Sequence, residues 1–254
     1  MNAAAKMPMV FLHGWAMTPS IWQAMAAALS GDASEIHTPA LPGHGVATAS
    51  PRNSLAAWVE AFAPTLPGNA VLIGWSLGAL LALELARVRP RRVASLILIG
   101  ATPRFVADDG WPHGLDEKTV SDFIEGYASN PAATLRRFLA LQTFGDDSRK
   151  HLLHRLSETA CLPHAGQTPQ ALADGLRILA DTDLRAELAA IEQPVCLIHG
   201  DGDALMPPDA ARWLANTLPR ARLNILKNRG HAPLISACDE CVAAARAHLH
   251  AEFG

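Results

Sequence analysis

The sequence lacks a strong excess of charge of either sign. Its 254 residues include 21 lysines and arginines against 24 aspartates and glutamates, which leaves a formal net charge of -3. A protein that attracts nucleic acid through its overall electrostatic field needs a marked basic excess. We therefore expect no nucleic-acid partner.

Long apolar runs are also missing. The first residues, MNAAAKMPMVFLHG, hold one lysine and an apolar run too short for the hydrophobic region of a secretory signal. The most apolar stretch, VLIGWSLGALLALELA at 71–86, contains two glycines and Glu84. It falls short of the roughly 20 clean apolar residues of a membrane span. We expect no secretory signal and no membrane association.

Cysteine is scarce: the chain has Cys161, Cys196, Cys238 and Cys241. The last two have C-x-x-C spacing. A redox motif would begin a helix after a thioredoxin-type strand, and a zinc site would need a second pair or nearby histidines. The sequence shows neither, so we interpret these cysteines as reduced thiols, on a C-terminal helix for the last two, in a cytoplasmic protein.

Short apolar runs bounded by glycine or proline recur along the chain. They begin at Met9, Glu35, Val71, Val93, Pro194 and Leu223. Their apolarity is continuous rather than alternating, which is typical of strands buried on both faces of a parallel sheet. Helical patterns separate most of them, and the chain is long enough for one large core. The pattern predicts an α/β fold with a mostly parallel sheet flanked by helices.

The alternation of strands and helices breaks between residues 104 and 188. This segment has no convincing strand and contains the helical patterns TVSDFIEGYA, PAATLRRFLALQTF and PQALADGLRILAD, separated by proline-containing breaks. We interpret residues 104–188 as a helical cap inserted into a core formed by residues 1–103 and 189–254.

A candidate nucleophile interrupts the most apolar stretch. GWSLG at 74–78 has the G-x-S-x-G pattern, follows a predicted strand and opens a predicted helix, as a nucleophile elbow requires. The alternative is a plain strand-to-helix turn with Ser76 as the N-cap. We exclude a dinucleotide site because Ser76 replaces the middle glycine of G-x-G-x-x-G, and GHG at 43–45 lacks the third glycine.

A serine nucleophile needs a base, and the base needs an acid that orients it. In this arrangement the acid and then the histidine follow the serine along the chain. His231, in KNRGHAPL, and the aspartates of PVCLIHGDGDALMP both come after predicted strands. We prefer Asp203 over Asp201 as the acid, although either aspartate could instead shape the turn. His248 and His250 lie in a terminal helical stretch, where we expect solvated surface residues.

Two backbone N–H groups are candidates for binding the oxyanion of such a reaction. One belongs to Leu77, which follows the nucleophile at a helix N-terminus, and the other to Trp15, in the loop after the first predicted strand. The Trp15 ring can at the same time pack, half-buried, under the cap.

These motifs resemble the pimeloyl-[acyl-carrier protein] methyl ester esterases of the α/β-hydrolase superfamily. The similarity spans nearly the whole chain and rests on HGW at 13–15, GWSLGA at 74–79, RFLALQT at 137–143, DGLRILADTDLR at 174–185 and GHAPLIS at 230–236. The resemblance implies an α/β-hydrolase fold with a helical cap and no metal or cofactor. It also implies hydrolysis of the methyl ester of pimeloyl-acyl-carrier protein in biotin synthesis, with acyl-carrier protein as the partner.

The resemblance also assigns roles to particular residues. It implies a triad of Ser76, Asp203 and His231, and an ester held by Trp15 and Leu77. The acyl channel that it implies is lined by Phe138, Leu139, Ala140, Leu141 and Gln142.

The chain departs from this family in two places. Only eight residues precede the first predicted strand, so we expect a sheet of about six strands with an exposed edge. Ala40 replaces the aspartate that usually precedes LPGxG, a change that bears on loop structure more than on chemistry.

A basic cluster lies in the cap of a chain that is acidic overall. It consists of Arg136, Arg137, Arg149, Lys150 and Arg155, with only Asp146 and Asp147 nearby. Such a surface suits an acidic carrier protein. The candidate carrier contacts are Arg137, Arg149, Lys150 and Arg155. The alternative is that all of them are ordinary solvated helix faces.

Other functions remain open at this point. A short-chain carboxylesterase or lactonase would use the same triad on a free ester, and a non-catalytic protein could bind a ligand on the same fold. A haloalkane dehalogenase is excluded because it needs aspartate at the elbow, where this chain has Ser76. We expect the protein to be a monomer.

Overall fold

The computed structural model describes residues 6–44, 54–160 and 169–254, so that Gly45 and Cys161 lie outside the described residues. Six strands are found in these ranges: β1 (Met9–Leu12), β2 (Ile36–His37), β3 (Ala70–Trp75), β4 (Val93–Ile99), β5 (Val195–Gly200) and β6 (Ala221–Leu226).

Helices connect the strands and cover the sheet. In the core they are α1 (Gln23–Leu29), α2 (Leu55–Phe62), α3 (Leu77–Val88), α8 (Pro208–Thr217), α9 (Pro233–Ser236) and α10 (Cys238–Phe253). Between β4 and β5 lie α4 (Glu117–Ser129), α5 (Pro131–Leu141), α6 (Arg149–Thr159) and α7 (Pro169–Asp181). No helix in the described ranges has both the length and the apolar character that crossing a membrane requires.

The strands form one sheet in the order β2-β1-β3-β4-β5-β6, and every neighbouring pair is parallel. The prediction of a parallel sheet of about six strands is therefore confirmed. From β1 the chain first runs outward to β2 and then returns to β3 on the other side. Ligand sites of open parallel sheets form at such a reversal, beyond the carboxyl ends of the strands. Here that place is the pair of loops that follow β1 and β3.

The centre of the sheet is enclosed on both faces. All residues of β1, β3 and β5 are buried, and so is every residue of α3 from Leu77 to Ala86. Complete enclosure explains why these segments are apolar without alternation. Glu84 is tolerated inside α3 because Arg87 reaches both of its carboxylate oxygens, at 2.8 and 2.6 Å.

Among the helices that the structure describes between β4 and β5, α6 was not predicted. The sequence patterns indicate α4, α5 and α7, but α6 is rich in charged and histidine residues and buries a narrow stripe of Leu152, Leu156 and Thr159. The two chain segments that connect this region to the core run side by side. Leu184 donates its N–H to the carbonyl of Pro103 at 3.0 Å.

The expectation that His248 is a solvated surface residue is wrong. His248 is 4% exposed on α10, and its Nε2 lies 2.6 Å from the hydroxyl of Ser95 on β4. Ser95 donates in turn to the carbonyl of Pro194 at 2.9 Å, so the histidine supplies the proton of the first bond. Burial lowers the pKa of His248, which keeps the ring neutral. His250 is exposed, as expected. On the same helix Cys238 and Cys241 are free thiols, as is Cys196 in β5.

Two buried histidines hold the loop that follows β1. Nε2 of His13 accepts the N–H of Leu41, and Nε2 of His44 accepts the N–H of Ala16, both at 3.0 Å. Nδ1 of His13 donates to the carbonyl of Gly14, and Nδ1 of His44 donates to the carbonyl of Pro42. Both rings must be neutral to accept these bonds. Burial lowers the pKa of His13 to about 3, with a further contribution from His44, and lowers that of His44 to about 4.

We predict that Gly78→Ala destabilises the protein severely. A Cβ at this position would lie 2.0 Å from the carbonyl oxygen of Leu12, which belongs to the backbone of β1 and cannot turn away. The expected loss is at least about 3 kcal/mol in the free energy of unfolding, measured by urea denaturation. Gly68→Ala is the matched control, because a Cβ there meets no atom within 4 Å. Equal stabilities of the two variants would contradict the close contact of α3 with β1.

We predict that acid weakens the fold through His44. In the unfolded chain this histidine takes up a proton near the usual histidine value of 6.5, whereas in the folded chain its pKa of about 4 means that it resists protonation. Its contribution to stability is therefore complete above pH 6.5 and is lost as the pH falls. Between about pH 7 and about pH 4.5 the free energy of unfolding of His44→Gln should fall by about 2 kcal/mol less than that of the unmodified protein.

The control for this experiment is His151→Gln, which changes an exposed histidine on α6. Urea denaturation at the two pH values should give this control the same decrease as the unmodified protein. A decrease of the same size in His44→Gln would show that the buried ring does not resist protonation.

Candidate active site

Ser76 occupies a strained turn between β3 and α3. Its backbone has φ 57° and ψ -119°, a region that residues with a side chain rarely enter. The turn is held by the backbone of Ser76. Its N–H donates to the carbonyl of Ile99 at 3.1 Å, and its carbonyl oxygen accepts the N–H groups of Ala79 and Leu80. Its hydroxyl caps no N–H of α3, which is described over its full length. The geometry is that of an elbow rather than an ordinary N-cap.

His231 and Asp203 are brought together at the carboxyl end of the sheet. Nδ1 of His231 lies 2.8 Å from Oδ2 of Asp203, and both side chains are buried. The other carboxylate oxygen accepts the N–H groups of Leu205 and Met206, both at 2.9 Å. Burial by itself would raise the pKa of Asp203, but the charge of His231 and hydrogen bonds from His199 and His231 hold it below its usual range.

Asp201, the alternative acid, lies elsewhere. Its Oδ1 accepts the N–H of Asn228 at 2.7 Å, and the residue is exposed. It joins the loop after β5 to the loop after β6. The structure therefore places Asp203 beside the histidine and Asp201 in a turn.

His199 is a neighbour of the acid that the sequence analysis missed. It lies on β5, is 1% exposed, and donates from Nε2 to the carbonyl of Met206 at 2.7 Å. The same nitrogen is 3.3 Å from Oδ2 of Asp203. A histidine near the end of a buried strand, four residues before the acid, was the available signal. His199 thus adds a ring nitrogen beside the same carboxylate oxygen that His231 contacts.

The backbone of His231 is fixed from two directions. Its N–H donates to the carbonyl of Gln142 at 3.2 Å, and its carbonyl accepts the indole N–H of Trp75, the residue before the nucleophile, at 2.8 Å. Because Nδ1 donates to Asp203, Nε2 carries the lone pair of a base. Nε2 is buried and has no hydrogen-bond partner in the described part of the chain, so it makes no hydrogen bond to Ser76 here. Hydrogen bonds between a catalytic serine and its base often form fully only when substrate is present.

Two N–H groups are available beside Ser76, the candidate nucleophile. Leu77 is the first residue of α3, so its N–H has no acceptor within the helix. The N–H of Trp15 has no acceptor in the described ranges. The loop that carries it passes directly over the elbow, since a Cβ on Gly14 would lie 3.4 Å from the Cβ of Ser76. Both groups can therefore face an oxyanion bound to Ser76.

The Trp15 ring is fully buried, not half-buried as expected, with 1% of the residue exposed. Its indole N–H donates to the carbonyl of Leu172 on α7 at 2.7 Å. Its ring lies edge-on to Tyr127 on α4 and to Phe138 on α5, with centroids 5.7 and 4.8 Å apart. Three helices of the predicted cap thus meet the loop that carries the Trp15 N–H.

The five residues assigned to the acyl channel occupy the second half of α5 and the residue that follows it. Phe138 and Leu139 are buried, whereas Ala140 and Leu141 are half-buried. Gln142 is 1% exposed, and its side-chain Nε2 has no hydrogen-bond partner in the described ranges. An unsatisfied buried donor is costly unless a ligand accepts from it. This amide is therefore suited to contact a polar group of a substrate.

The basic residues of the cluster are all exposed, but their surroundings differ. The guanidinium of Arg137 stacks on Phe123 at 4.8 Å, and that of Arg149 stacks on Phe144 at 4.2 Å. Phe144 is the one large hydrophobic side chain in the described ranges with a substantial exposed fraction, 40%. Lys150 lies next to Arg149 on α6 and is exposed.

Of the two acidic residues near this cluster in the sequence, only Asp147 shares its surface. Arg155 forms an ion pair with Glu158 at 2.8 Å, and this pairing partly neutralises the positive charge that Arg155 could offer to a partner. Asp146 is 7% exposed and turned inward, so it does not belong to the basic surface. Asp147 is exposed.

The alpha/beta hydrolase family matches residues 9–244 of the chain. A pimeloyl-[acyl-carrier protein] methyl ester esterase from Aromatoleum aromaticum is 49% identical over 239 residues, which cover 92% of this chain and 94% of that protein. The biotin biosynthesis bifunctional protein BioHC from Teredinibacter turnerae is 37% identical over 240 residues, which cover 90% of this chain and 42% of that protein.

Solved structures agree on the fold. An esterase from Exiguobacterium antarcticum matches with a TM-score of 0.85 at 21% identity, over 98% of this chain and 93% of that one. At this identity the likeness concerns the fold alone. The family match and the high identity over most of the chain go further: the chain belongs to the alpha/beta hydrolase family, together with the pimeloyl-[acyl-carrier protein] methyl ester esterases.

Proposed function

We propose that the protein is a serine carboxylesterase that hydrolyses the methyl ester of pimeloyl-acyl-carrier protein to the free acid and methanol. The observation that carries this proposal is the buried His231, which donates to Asp203 from Nδ1 and keeps Nε2 without a partner next to the elbow of Ser76. A neutral imidazole in this tautomer is the base that a serine hydroxyl needs.

The first half of the reaction is acylation of the serine. Nε2 of His231 takes the hydroxyl proton as Oγ of Ser76 attacks the ester carbonyl. The carbonyl oxygen becomes an oxyanion, which accepts the N–H groups of Leu77 and Trp15. His231, now an imidazolium stabilised by Asp203, returns its proton to the leaving methoxide. Methanol departs and the acyl group remains on Ser76.

The second half repeats these steps with water. His231 removes a proton from a water molecule, which attacks the acyl-serine carbonyl. The same two N–H groups bind the second oxyanion. Collapse of this intermediate returns the proton to Ser76 Oγ and releases the free carboxylic acid. No step requires a metal ion or a cofactor.

The substrate class is supported by the relatives and by the cap. The relative from Aromatoleum aromaticum is named for the methyl ester of pimeloyl-acyl-carrier protein, and the one from Teredinibacter turnerae for biotin biosynthesis. Phe138 packs against Trp15, and the carbonyl of Gln142 accepts the N–H of His231. An acyl chain entering along α5 would therefore reach the nucleophile. We place the protein in the cytoplasm as a monomer that meets the acyl-carrier protein at the exposed basic residues of α5 and α6.

We predict that Ser76→Ala abolishes hydrolysis while the fold persists. Removing the nucleophile should lower kcat by at least about 10⁴-fold, because binding and oxyanion stabilisation alone give little turnover. Activity on a chromogenic ester and covalent labelling by a serine-directed phosphonate are the measurements. Ser121→Ala, an exposed serine on α4, is the control and should behave like the unmodified protein. Phosphonate labelling of Ser76→Ala would contradict the assignment, and an unmodified protein that neither reacts nor is labelled would indicate a non-catalytic binding protein.

We predict that charge reversal at Lys150 impairs the carrier-bound substrate selectively. Lys150→Glu should lower kcat/KM for pimeloyl-carrier methyl ester by about threefold to tenfold at low salt, because the loss concerns encounter with an acidic partner. Hydrolysis of a short free ester should not change. Arg91→Glu makes a comparable charge change at an exposed residue just before β4, at the opposite end of the sheet, and should affect neither substrate.

The same assays separate the proposed substrate from its alternative. The unmodified protein should prefer the carrier-bound ester over short free esters and lactones. A higher kcat/KM for the free compounds would identify a general carboxylesterase or lactonase. Equal effects of Lys150→Glu and Arg91→Glu on the carrier substrate would rule out Lys150 as a contact.

A further inference from the structure

The turn between α5 and α6 lies between the two loops that carry the acid and the base. It comprises residues 142–148 and belongs to the predicted cap, yet its main chain touches the core on both sides. We call it the cap turn. Its contacts extend from Gln142, whose carbonyl accepts the N–H of His231, to Asp147, whose N–H donates to the carbonyl of Asn228 at 3.1 Å.

On the side of the acid, the cap turn meets the loop through two glycines. Gly145 has a positive φ of 73°, and a Cβ on it would lie 2.0 Å from the carbonyl oxygen of Gly202. Gly202 is the residue before Asp203. Its own N–H donates to the carbonyl of Arg229 at 3.0 Å, which links the acid loop to the histidine loop. The cap turn, the acid loop and the histidine loop therefore form one cluster of main chains.

On the side of the base, the contact is made by the side chain of Asp146. Oδ2 accepts the N–H of Gly230 at 3.1 Å and the hydroxyl of Ser236 at 2.6 Å. Oδ1 accepts the N–H of Ser148 within the cap turn at 2.8 Å. The carboxylate is 7% exposed and is surrounded by donors. Hydrogen bonds to an ionised acceptor of this kind are shorter and stronger than neutral ones.

These bonds bracket His231. Gly230 is the residue before the histidine, and Ser236 ends α9, the short helix that follows it. A single carboxylate thus fixes the chain on both sides of the base, while the neighbouring Gln142 carbonyl fixes its N–H. We propose that Asp146 is a positioning residue that holds the imidazole of His231 in line between Asp203 and Ser76. The catalytic meaning of this inference rests on the proposed function.

The bond pattern explains why a carboxylate is needed. Asparagine at this position has one oxygen and one N–H₂ group, so it cannot accept from both the Gly230 and the Ser148 N–H groups when these face different oxygens. In Asp146→Asn one backbone donor would face another donor and be left without an acceptor. The histidine loop would then move, and small displacements of a catalytic group lower the rate steeply.

The test compares Asp146→Asn with Asp147→Asn, which removes the same charge one position along from an exposed side chain. Steady-state kinetics on a small chromogenic ester should show kcat reduced by about tenfold in Asp146→Asn with KM nearly unchanged. In ¹⁵N-histidine NMR spectra, the downfield Nδ1 proton of His231 should shift or broaden. Asp147→Asn should match the unmodified protein in both measurements.

Ser236→Ala provides a milder second variant, because it removes one donor and leaves the carboxylate in place. It should lower kcat and alter the NMR signal of the His231 Nδ1 proton in the same direction as Asp146→Asn, but by less. If Asp146→Asn does not fold, wild-type kcat and an unchanged Nδ1 proton in Ser236→Ala overturn the proposal. If Asp146→Asn folds, the proposal is overturned when this variant equals Asp147→Asn in both measurements. An unmodified protein without esterase activity would refute the proposed function, while the NMR comparison would still decide the role of Asp146.

Discussion

The buried hydrogen bond between His231 and Asp203 is the contact on which the site depends. It joins two loops that follow neighbouring strands, in a place closed to water, where an unpartnered carboxylate would be costly. The surrounding structure keeps the pair together. His199 and two backbone N–H groups surround the acid, while Trp75 and Gln142 hold the backbone of the base. The parallel sheet, the elbow and the cap turn all meet at this bond.

Much of this arrangement could be predicted from the sequence, for identifiable physical reasons. Strands buried on both faces leave continuous apolar runs, so β1, β3, β4 and β5 are visible without any tertiary information. The elbow is a local feature: a strained turn between a strand and a helix, marked by glycines on either side of Ser76. The loops after β5 and β6 supply Asp203 and His231 in a fixed order, so that the fold itself narrows the choice of partners.

The remainder depends on contacts between residues far apart in the chain. His248 looks like a surface residue in its own helix, and only its contact with Ser95 shows that it is buried. Asp146 carries no local signal that separates it from ordinary polar residues, because its partners Gly230 and Ser236 come from another loop. Helix α6 escaped prediction since its buried stripe is narrow and its other residues are polar. Sequence patterns report periodic burial well and single buried polar groups poorly.

The contact between Gly145 and Gly202 separates a fixed part of the predicted cap from parts that can be exchanged. Two main chains that touch directly leave no side chain whose replacement could compensate for a change on the opposite side. The turn and the acid loop must therefore be transplanted as one unit in any graft between relatives. Helices α4 and α5 instead meet the loop after β1 through side chains, as Tyr127 and Phe138 meet Trp15, and such contacts can be exchanged in pairs. A graft of the helices alone would leave this contact between the turn and the acid loop unchanged.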